Sequence, residues 1–141
     1  MRLSSIFLII MVTFIISLLG CENTDKEGHT LLIAYDAKEQ FKLIVTVHHE
    51  ENEITFEAFV ENMSDNKVKI IHSSPLTISS LAPLRRDIYN EYTLEPNEKY
   101  NPDGVRHLEV NEDITKINFT AEFWDEEGQM YQISTSYKLS S

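Results

Sequence analysis

The stretch INFTAEF at residues 117–123 decides the fold class of this chain. Apolar and polar residues alternate along it, which is the pattern of a β-strand with one buried face. The stretch YQISTSYKL at residues 131–139 alternates in the same way. Between them lies DEEG at residues 125–128, in which Gly128 can take the positive φ that closes a short loop. We therefore expect the two stretches to pair as an antiparallel hairpin.

The same alternation predicts more strands before this hairpin. The predicted segments are residues 30–35, 41–48, 54–61, 68–72 and 76–81. Only Phe59 breaks the pattern within its segment. All four prolines lie outside the segments, where a residue without an amide proton interrupts no central ladder. Six or seven strands with short turns predict an all-β fold, an antiparallel immunoglobulin-like β-sandwich of about seven strands.

One segment has helical spacing instead. Leu84, Ile88 and Tyr92 recur at every fourth position. They follow Pro83, a residue that suits the first turn of a helix. The spacing predicts one short helix over residues 83–91, at the edge of the sandwich.

The net charge and the cysteine count exclude several kinds of partner and site. Among 141 residues, 23 Asp and Glu outnumber 12 Lys and Arg, which gives a formal net charge of −11. An acidic surface repels phosphates, so we expect no nucleic acid partner. The single cysteine excludes an internal disulfide framework and a multi-thiolate metal site. The length fits one folded domain, which we place at residues 29–141.

The start of the chain has the layout of an export signal. Arg2 precedes an apolar run at residues 6–19, and Gly20 and Cys21 follow it directly. The run has the length of a signal peptide, with a retained transmembrane anchor as the alternative. The stretch LLGC that ends at Cys21 resembles the lipobox of bacterial lipoproteins, with Leu19 where a small residue is usual.

The lipobox resemblance implies a lipid-anchored protein outside the cytoplasm. It implies cleavage between Gly20 and Cys21 and a diacylglyceryl group on Cys21. Residues 1–20 are then a signal peptide, helical while attached, and residues 21–28 are the lipidated cysteine and a polar tether. Two acyl chains hold a protein stably on a membrane without crossing it. We expect the domain on the outer side of a bacterial cell membrane.

A second resemblance concerns the domain itself. The stretches VENMS at residues 60–64 and LEPNEKY at residues 94–100 resemble turn motifs of the BsuPI-type intracellular proteinase inhibitor family. Asn97 stands where that family usually has glycine, and asparagine also adopts the left-handed conformation. The resemblance covers roughly residues 41–123. It implies an immunoglobulin-like fold and, as an alternative function, proteinase inhibition.

The segment LRRDIYNEY at residues 84–92 is the candidate partner-binding site. Its candidate residues are Arg85, Arg86, Tyr89 and Tyr92, because arginine and tyrosine are enriched at interface hot spots. A local positive charge on an acidic domain would steer an acidic protein or cell-envelope partner. The alternative is a connecting helix whose apolar residues are buried and whose arginines form weak surface ion pairs.

The histidines and acidic residues give no pattern for metal binding or catalysis. His48 and His49 are adjacent, so in a regular strand they point to opposite faces and cannot share a metal ion. The chain has no H-x-H or H-x-x-E-H spacing, and Ser73 beside His72 lacks the G-x-S-x-G motif. We predict no catalytic residue, no metal and no cofactor. A metal-binding envelope protein is kept as a second alternative.

The aromatic residues around Trp124 and the stretch NPDG each have a functional and a structural interpretation. Trp124, with Phe123 and Tyr131, could stack on a sugar ring, or it could cap the core at the end of the hairpin. The stretch NPDG at residues 101–104 lacks the first and last carboxylates of a calcium loop and is predicted to be a turn. The sequence thus favours a non-catalytic binding module in the cell envelope.

Overall fold

The computed structural model describes residues 28–81 and 88–139, and these residues form nine β-strands and no helix. The strands are β1 His29–Tyr35, β2 Phe41–Glu50, β3 Glu53–Asn62, β4 Val68–Ser79, β5 Tyr89–Leu94, β6 Lys99–Tyr100, β7 Val105–Glu109, β8 Lys116–Asp125 and β9 Met130–Lys138. The five segments predicted upstream of the hairpin, and the two strands of the hairpin, lie within observed strands except for Ser80 and Leu81 after β4 and Leu139 after β9.

The nine strands form two antiparallel sheets. Sheet 1 has the order β1-β2-β3, and both β6 and β7 pair with β3 at different points along it. Sheet 2 has the order β5-β4-β8-β9. Apolar side chains from both sheets meet in one buried core, which is the arrangement of a β-sandwich. The predicted all-β antiparallel sandwich is confirmed, with nine strands in place of about seven.

The carboxy-terminal hairpin has the predicted pairing. β8 and β9 are antiparallel, with Phe123 opposite Tyr131. Gly128 has a φ of 80°, as the loop prediction requires. The carboxylate of Asp125 closes the turn, because its Oδ1 accepts hydrogen bonds from the amides of Glu127 at 3.0 Å and Gln129 at 2.8 Å.

Aromatic side chains join the two sheets at the centre of the core. Phe41 on β2 lies edge-on to Phe123, with ring centroids 4.9 Å apart, and its ring is 4.8 Å from that of Tyr131. Phe56 on β3 packs against Phe119 on β8 at 4.8 Å. Burying each of these side chains contributes roughly 1.5–3 kcal/mol of transfer free energy. The apolar residues that alternate in the sequence are therefore those that face the other sheet in the core.

β4 is one strand where the sequence predicted two. Val68–Ser79 includes Pro75, and the register with β8 shifts in the middle of the strand, which marks a β-bulge. A bulge tolerates proline because the hydrogen-bond ladder is already interrupted there. The carboxylate of Asp103 holds the bulge, since it accepts hydrogen bonds from the amides of Leu76 at 3.2 Å and Thr77 at 3.0 Å.

The sequence did not predict the short strands β6 and β7, but it did predict the turn at residues 101–104 between them. β6 has two residues and β7 has five, which is too short for a clear alternation. Residues 101–104 form the turn that joins them. Oδ1 of Asn101 accepts hydrogen bonds from the amides of Asp103 at 3.2 Å and Gly104 at 2.9 Å, as in an Asx turn.

The helix expected over residues 83–91 is wrong where the structure describes that segment. Tyr89–Leu94 is strand β5, paired with β4, and Ile88 is exposed instead of buried. Tyr92 and Leu94 face inward with a period of two, so pairing with β4 overrides the spacing of four. Residues 82–87, which include Arg85 and Arg86, lie outside the described residues.

The predicted signal peptide and tether also lie outside the described residues. They include Gly20 and Cys21, for which the structure gives no placement. Across residues 28–81 and 88–139, no helix is long and apolar enough to span a membrane.

Candidate functional site

The outer face of sheet 2 carries a group of aromatic and apolar side chains that faces away from the core. Trp124 on β8 lies between Ile71 on β4 and Met130 on β9 in one cross-strand row. Tyr89, at the start of β5, is opposite Ser73 on β4. We call this group, with the neighbouring Ile88, the Tyr89–Trp124 surface.

The exposed ring of Tyr89 and the half-buried ring of Trp124 form the centre of this surface. Their centroids are 6.3 Å apart, and the ring planes meet at 67°. The side chain of Tyr89 is 60% exposed, and Ile88 and Met130 are also exposed. The backbone holds this end of β5 in place, because the amide of Ser74 donates to the carbonyl of Ile88 at 3.0 Å. The surface therefore presents apolar area on strands whose positions are fixed.

An ion pair lies on the same face of sheet 2. Nζ of Lys69 on β4 lies 2.7 Å from Oε2 of Glu91 on β5. The hydrogen bond with Glu91 raises the pKa of Lys69, and the charges of Glu91 and Glu126 act in the same direction. Lys69 thus keeps its positive charge, which is matched by acidic neighbours at the edge of the Tyr89–Trp124 surface.

The structure separates the predicted partner-binding residues. Tyr89 lies on the exposed Tyr89–Trp124 surface, whereas Tyr92 points to the opposite face of β5 and packs against the core. The reason is the period of two along β5, which sends residues of odd and even number to different faces. Arg85 and Arg86 lie outside the described residues.

The phenol of Tyr92 is already used inside the protein. Its ring stacks on Tyr100, with centroids 4.0 Å apart and an interplanar angle of 12°. Its hydroxyl donates to Oε1 of Glu98 at 2.6 Å, and this hydrogen bond raises the pKa of Tyr92 and lowers the pKa of Glu98. The amide of Glu95 donates to Oε2 of the same carboxylate at 2.8 Å. Tyr92 is thus a structural residue of the turn before β6.

His72 joins the two sheets through a buried hydrogen bond. Its side chain is fully buried, with Nδ1 2.8 Å from the carbonyl oxygen of Ser73 and Nε2 3.0 Å from the hydroxyl of Tyr100. The carbonyl can only accept, so Nδ1 donates to it, and the Tyr100 hydroxyl is within hydrogen-bond distance of Nε2. Burial, followed by the charge of Asp103, raises the pKa of Tyr100. Both ring nitrogens of His72 are therefore engaged.

Three other histidines contact acidic residues or backbone at the strand ends. Nε2 of His48 lies 2.7 Å from Oε1 of Glu50, and Nδ1 of His107 lies 2.7 Å from Oε1 of Glu53. His49 contacts a backbone carbonyl instead. Within the part of the chain that the structure describes, no three His, Cys, Asp or Glu residues are grouped so that they could hold a metal ion.

Trp124 does not belong with the two rings that the sequence placed beside it. Phe123 and Tyr131 stack on each other inside the core, 5.4 Å apart. Trp124 points to the other face of β8 and meets Tyr89 instead. The alternation already implied this, because Trp124 directly follows an inward-facing residue. The roles of Ile71 and Met130 required the strand register, which the sequence alone does not provide.

Comparisons with protein-family models, with curated proteins and with solved structures find no match for this chain.

Proposed function

We propose that this chain is a non-catalytic binding module of the bacterial cell envelope, anchored to the membrane by lipid on Cys21. We further propose that it binds an acidic protein or envelope partner through the Tyr89–Trp124 surface. The observation that supports binding is the aromatic pair on the outer face of sheet 2, in which the exposed Tyr89 packs beside the half-buried Trp124. The support for anchoring is the resemblance of the segment ending at Cys21 to a lipobox.

Exposed aromatic residues of this kind are typical of binding surfaces. Tyrosine and tryptophan bring large contact areas with few rotatable bonds, and they are enriched at interface hot spots. Tyr89 is three residues from Arg86 in the chain, so the predicted positive charge and the aromatic surface belong to one segment. Arginine beside aromatic residues favours partners that present acidic groups around an apolar patch.

The binding proposal is tested by photocrosslinking from the surface itself. The full chain carries a photoreactive phenylalanine analogue at Tyr89, or at Val105 as the control, and is irradiated in membranes of the bacterium that encodes it. Val105 is 55% exposed on β7, in the other sheet. We expect one discrete adduct from position 89 that is absent from position 105.

Competition then assigns the adduct to specific binding. Excess unlabelled wild-type chain and the Val105→Ala variant should abolish the adduct. The Tyr89→Ala variant and the double variant Arg85→Ala, Arg86→Ala should compete at least tenfold less well. Identical adducts from both positions, or equal competition by every variant, would contradict the proposed binding surface.

The anchoring proposal has an independent test. Cells grown with radioactive palmitate should label the wild-type chain, and Cys21→Ser should remove the label and leave an uncleaved chain. An unlabelled wild-type chain that remains attached to the membrane would instead support the retained transmembrane anchor.

A further inference from the structure

β1 is an edge strand with no charged residue. It pairs only with β2, and its sequence is HTLLIAY. Among the described strands, every other one at a sheet edge carries charge, namely Glu91 on β5, Lys99 on β6, Arg106 and Glu109 on β7, and Lys138 on β9. Charges on edge strands prevent pairing with other chains, because a docked strand would bury them. β1 lacks this protection, and it contains no proline.

The outer face of β1 is also unusually apolar for an exposed strand. Leu31, Ile33 and Tyr35 are 51%, 48% and 51% exposed. Ile33 is opposite Ile44 on β2, and Ile44 is opposite Phe59 on β3. This apolar row crosses three strands and stops at the free edge of β1. Phe59, which broke the alternation in the sequence, thus belongs to a continuous outer surface.

The inner face of β1 fixes the strand against the core. Leu32 and Ala34 are half-buried and pack against the core cluster. β1 is paired to β2 along all seven of its residues. The edge of β1 that does not pair with β2 is therefore a regular strand held in position, close to β9 of the other sheet, and its backbone groups are of the kind to which a second strand adds.

We propose that β1 pairs antiparallel with β1 of a second copy of this chain, about a two-fold axis at Leu32. This register uses all seven residues and places Leu31 opposite Ile33 of the second copy. In this register the outer faces of the two β1 strands lie on the same side of the joined sheet. The row of Ile33, Ile44 and Phe59 therefore continues into the second molecule.

Charge is the reason why the occupant is a second copy. Two-fold pairing brings identical segments together, so a charged residue close to the axis would meet a like charge. The chain has a net charge of −11, yet β1 contributes nothing to it. β1 is the one edge strand of the described residues without Asp, Glu, Lys or Arg, so no register of self-pairing brings like charges together. The pairing lies on sheet 1 and does not depend on the Tyr89–Trp124 surface.

Disulfide crosslinking tests the pairing. Two differently tagged full chains, one with Leu31→Cys and one with Ile33→Cys, are co-expressed and oxidised in the membrane. The control pair carries Val105→Cys, an equally exposed apolar position on β7 at the opposite edge of sheet 1. Unsubstituted chains control for Cys21. We expect a mixed-tag dimer from the β1 pair at several times the level of both controls.

Other outcomes of the crosslinking are also informative. A dimer of two Ile33→Cys chains, without the mixed-tag dimer, would still show pairing of β1 with β1 but would overturn the register with its axis at Leu32. A mixed-tag yield equal to that of the Val105→Cys pair would overturn the pairing. An adduct between position 33 and a different protein, with no dimer, would show that another occupant covers this edge and would also overturn it.

A charge placed on the edge gives a second readout. Ile33→Lys brings two positive charges close to the two-fold axis, whereas Val105→Lys adds the same charge at the opposite edge. Co-capture of the two tagged chains from mildly crosslinked membranes should fall at least fivefold for Ile33→Lys and stay unchanged for Val105→Lys. Unchanged co-capture with Ile33→Lys would contradict the proposal, provided that circular dichroism shows the variant folded.

Discussion

Asn62 stabilises the end of β3 with a single buried side chain. Its Nδ2 donates to the carbonyls of Asn66 at 2.8 Å and Leu94 at 3.2 Å. Its Oδ1 accepts hydrogen bonds from the amide of Ser64 at 3.0 Å and from the hydroxyl of Ser64 at 2.7 Å. The asparagine of the VENMS stretch therefore connects the turn after β3 to the end of β5, in the other sheet.

Replacing Asn62 with alanine should destabilise the protein strongly. Asn62→Ala leaves several backbone groups without their partner, at a cost of about 2–3 kcal/mol in the free energy of unfolding. Asn66→Ala is the matched control, because Asn66 contributes its backbone carbonyl and its side chain is exposed. Urea denaturation should show the loss for Asn62→Ala only. Equal midpoints for the two variants would contradict this role.

The carboxylate of Glu98 makes part of the stability depend on pH. Its pKa is lowered by the hydrogen bond from Tyr92, so its contribution is complete above the unfolded value of about 4.3. The contribution is lost as the pH falls through the lowered pKa. Glu98→Gln should therefore reduce the urea midpoint at pH 7, and the difference from wild type should shrink towards pH 3.

Glu95→Gln is the control for this pH dependence. Glu95 lies in the same turn, and it bonds to Glu98 only through its backbone amide and carbonyl. Its substitution removes one negative charge without removing the acceptor of the Tyr92 proton. A difference between Glu98→Gln and wild type that stayed constant from pH 7 to pH 3 would exclude the carboxylate as its source.

Among the elements, β4 receives polar contacts from the other sheet at its bulge. The turn at residues 101–104 supplies the Asp103 carboxylate to the two amides of the bulge, and Arg106 Nη1 donates to the carbonyl of Thr77 at 2.8 Å. Asp103→Ala should cost about 1–3 kcal/mol in the free energy of unfolding, because two amides lose their acceptor. Asp113→Ala, in an exposed turn, should change it by less than about 0.5 kcal/mol. Thermal unfolding of both variants checks the difference.

The elements also show where sequence reasoning succeeds. The hairpin of β8 and β9 was predictable because half of its residues are buried in strict alternation. β4 was divided at Pro75 because the bulge that accommodates the proline depends on Asp103, 28 residues away. The helix over residues 83–91 is wrong in its described part because Tyr89–Leu94 pairs with β4 as a strand, in which Tyr92 packs against the core, while Ile88 before the strand is exposed. At the candidate site, Tyr89 was predicted from its residue type, while its neighbour Trp124 required the pairing of β4 with β5 and β8.

The whole molecule is held together by the aromatic contacts between the sheets. Phe41 contacts both Phe123 and Tyr131, and it is fully buried. Phe41→Ala should lower the free energy of unfolding by about 3–5 kcal/mol, through lost burial and the cavity left behind. Phe59→Ala removes the same side chain from the half-buried outer face of sheet 1. It should cost less than half as much in chemical denaturation, and equal losses would argue against a core between the two sheets.

The hydrogen bond between His72 and Tyr100 helps to set the alignment of the two sheets, together with the bonds from Asp103 and Arg106 to β4. Contacts between apolar side chains are non-directional, so several relative positions of the two apolar sheet faces have similar energies. A hydrogen bond of 3.0 Å tolerates little displacement, and sliding either sheet by one residue would leave a buried imidazole nitrogen without a partner. The bond therefore favours one offset among those that the apolar core alone would allow, because only that offset keeps the imidazole nitrogen paired.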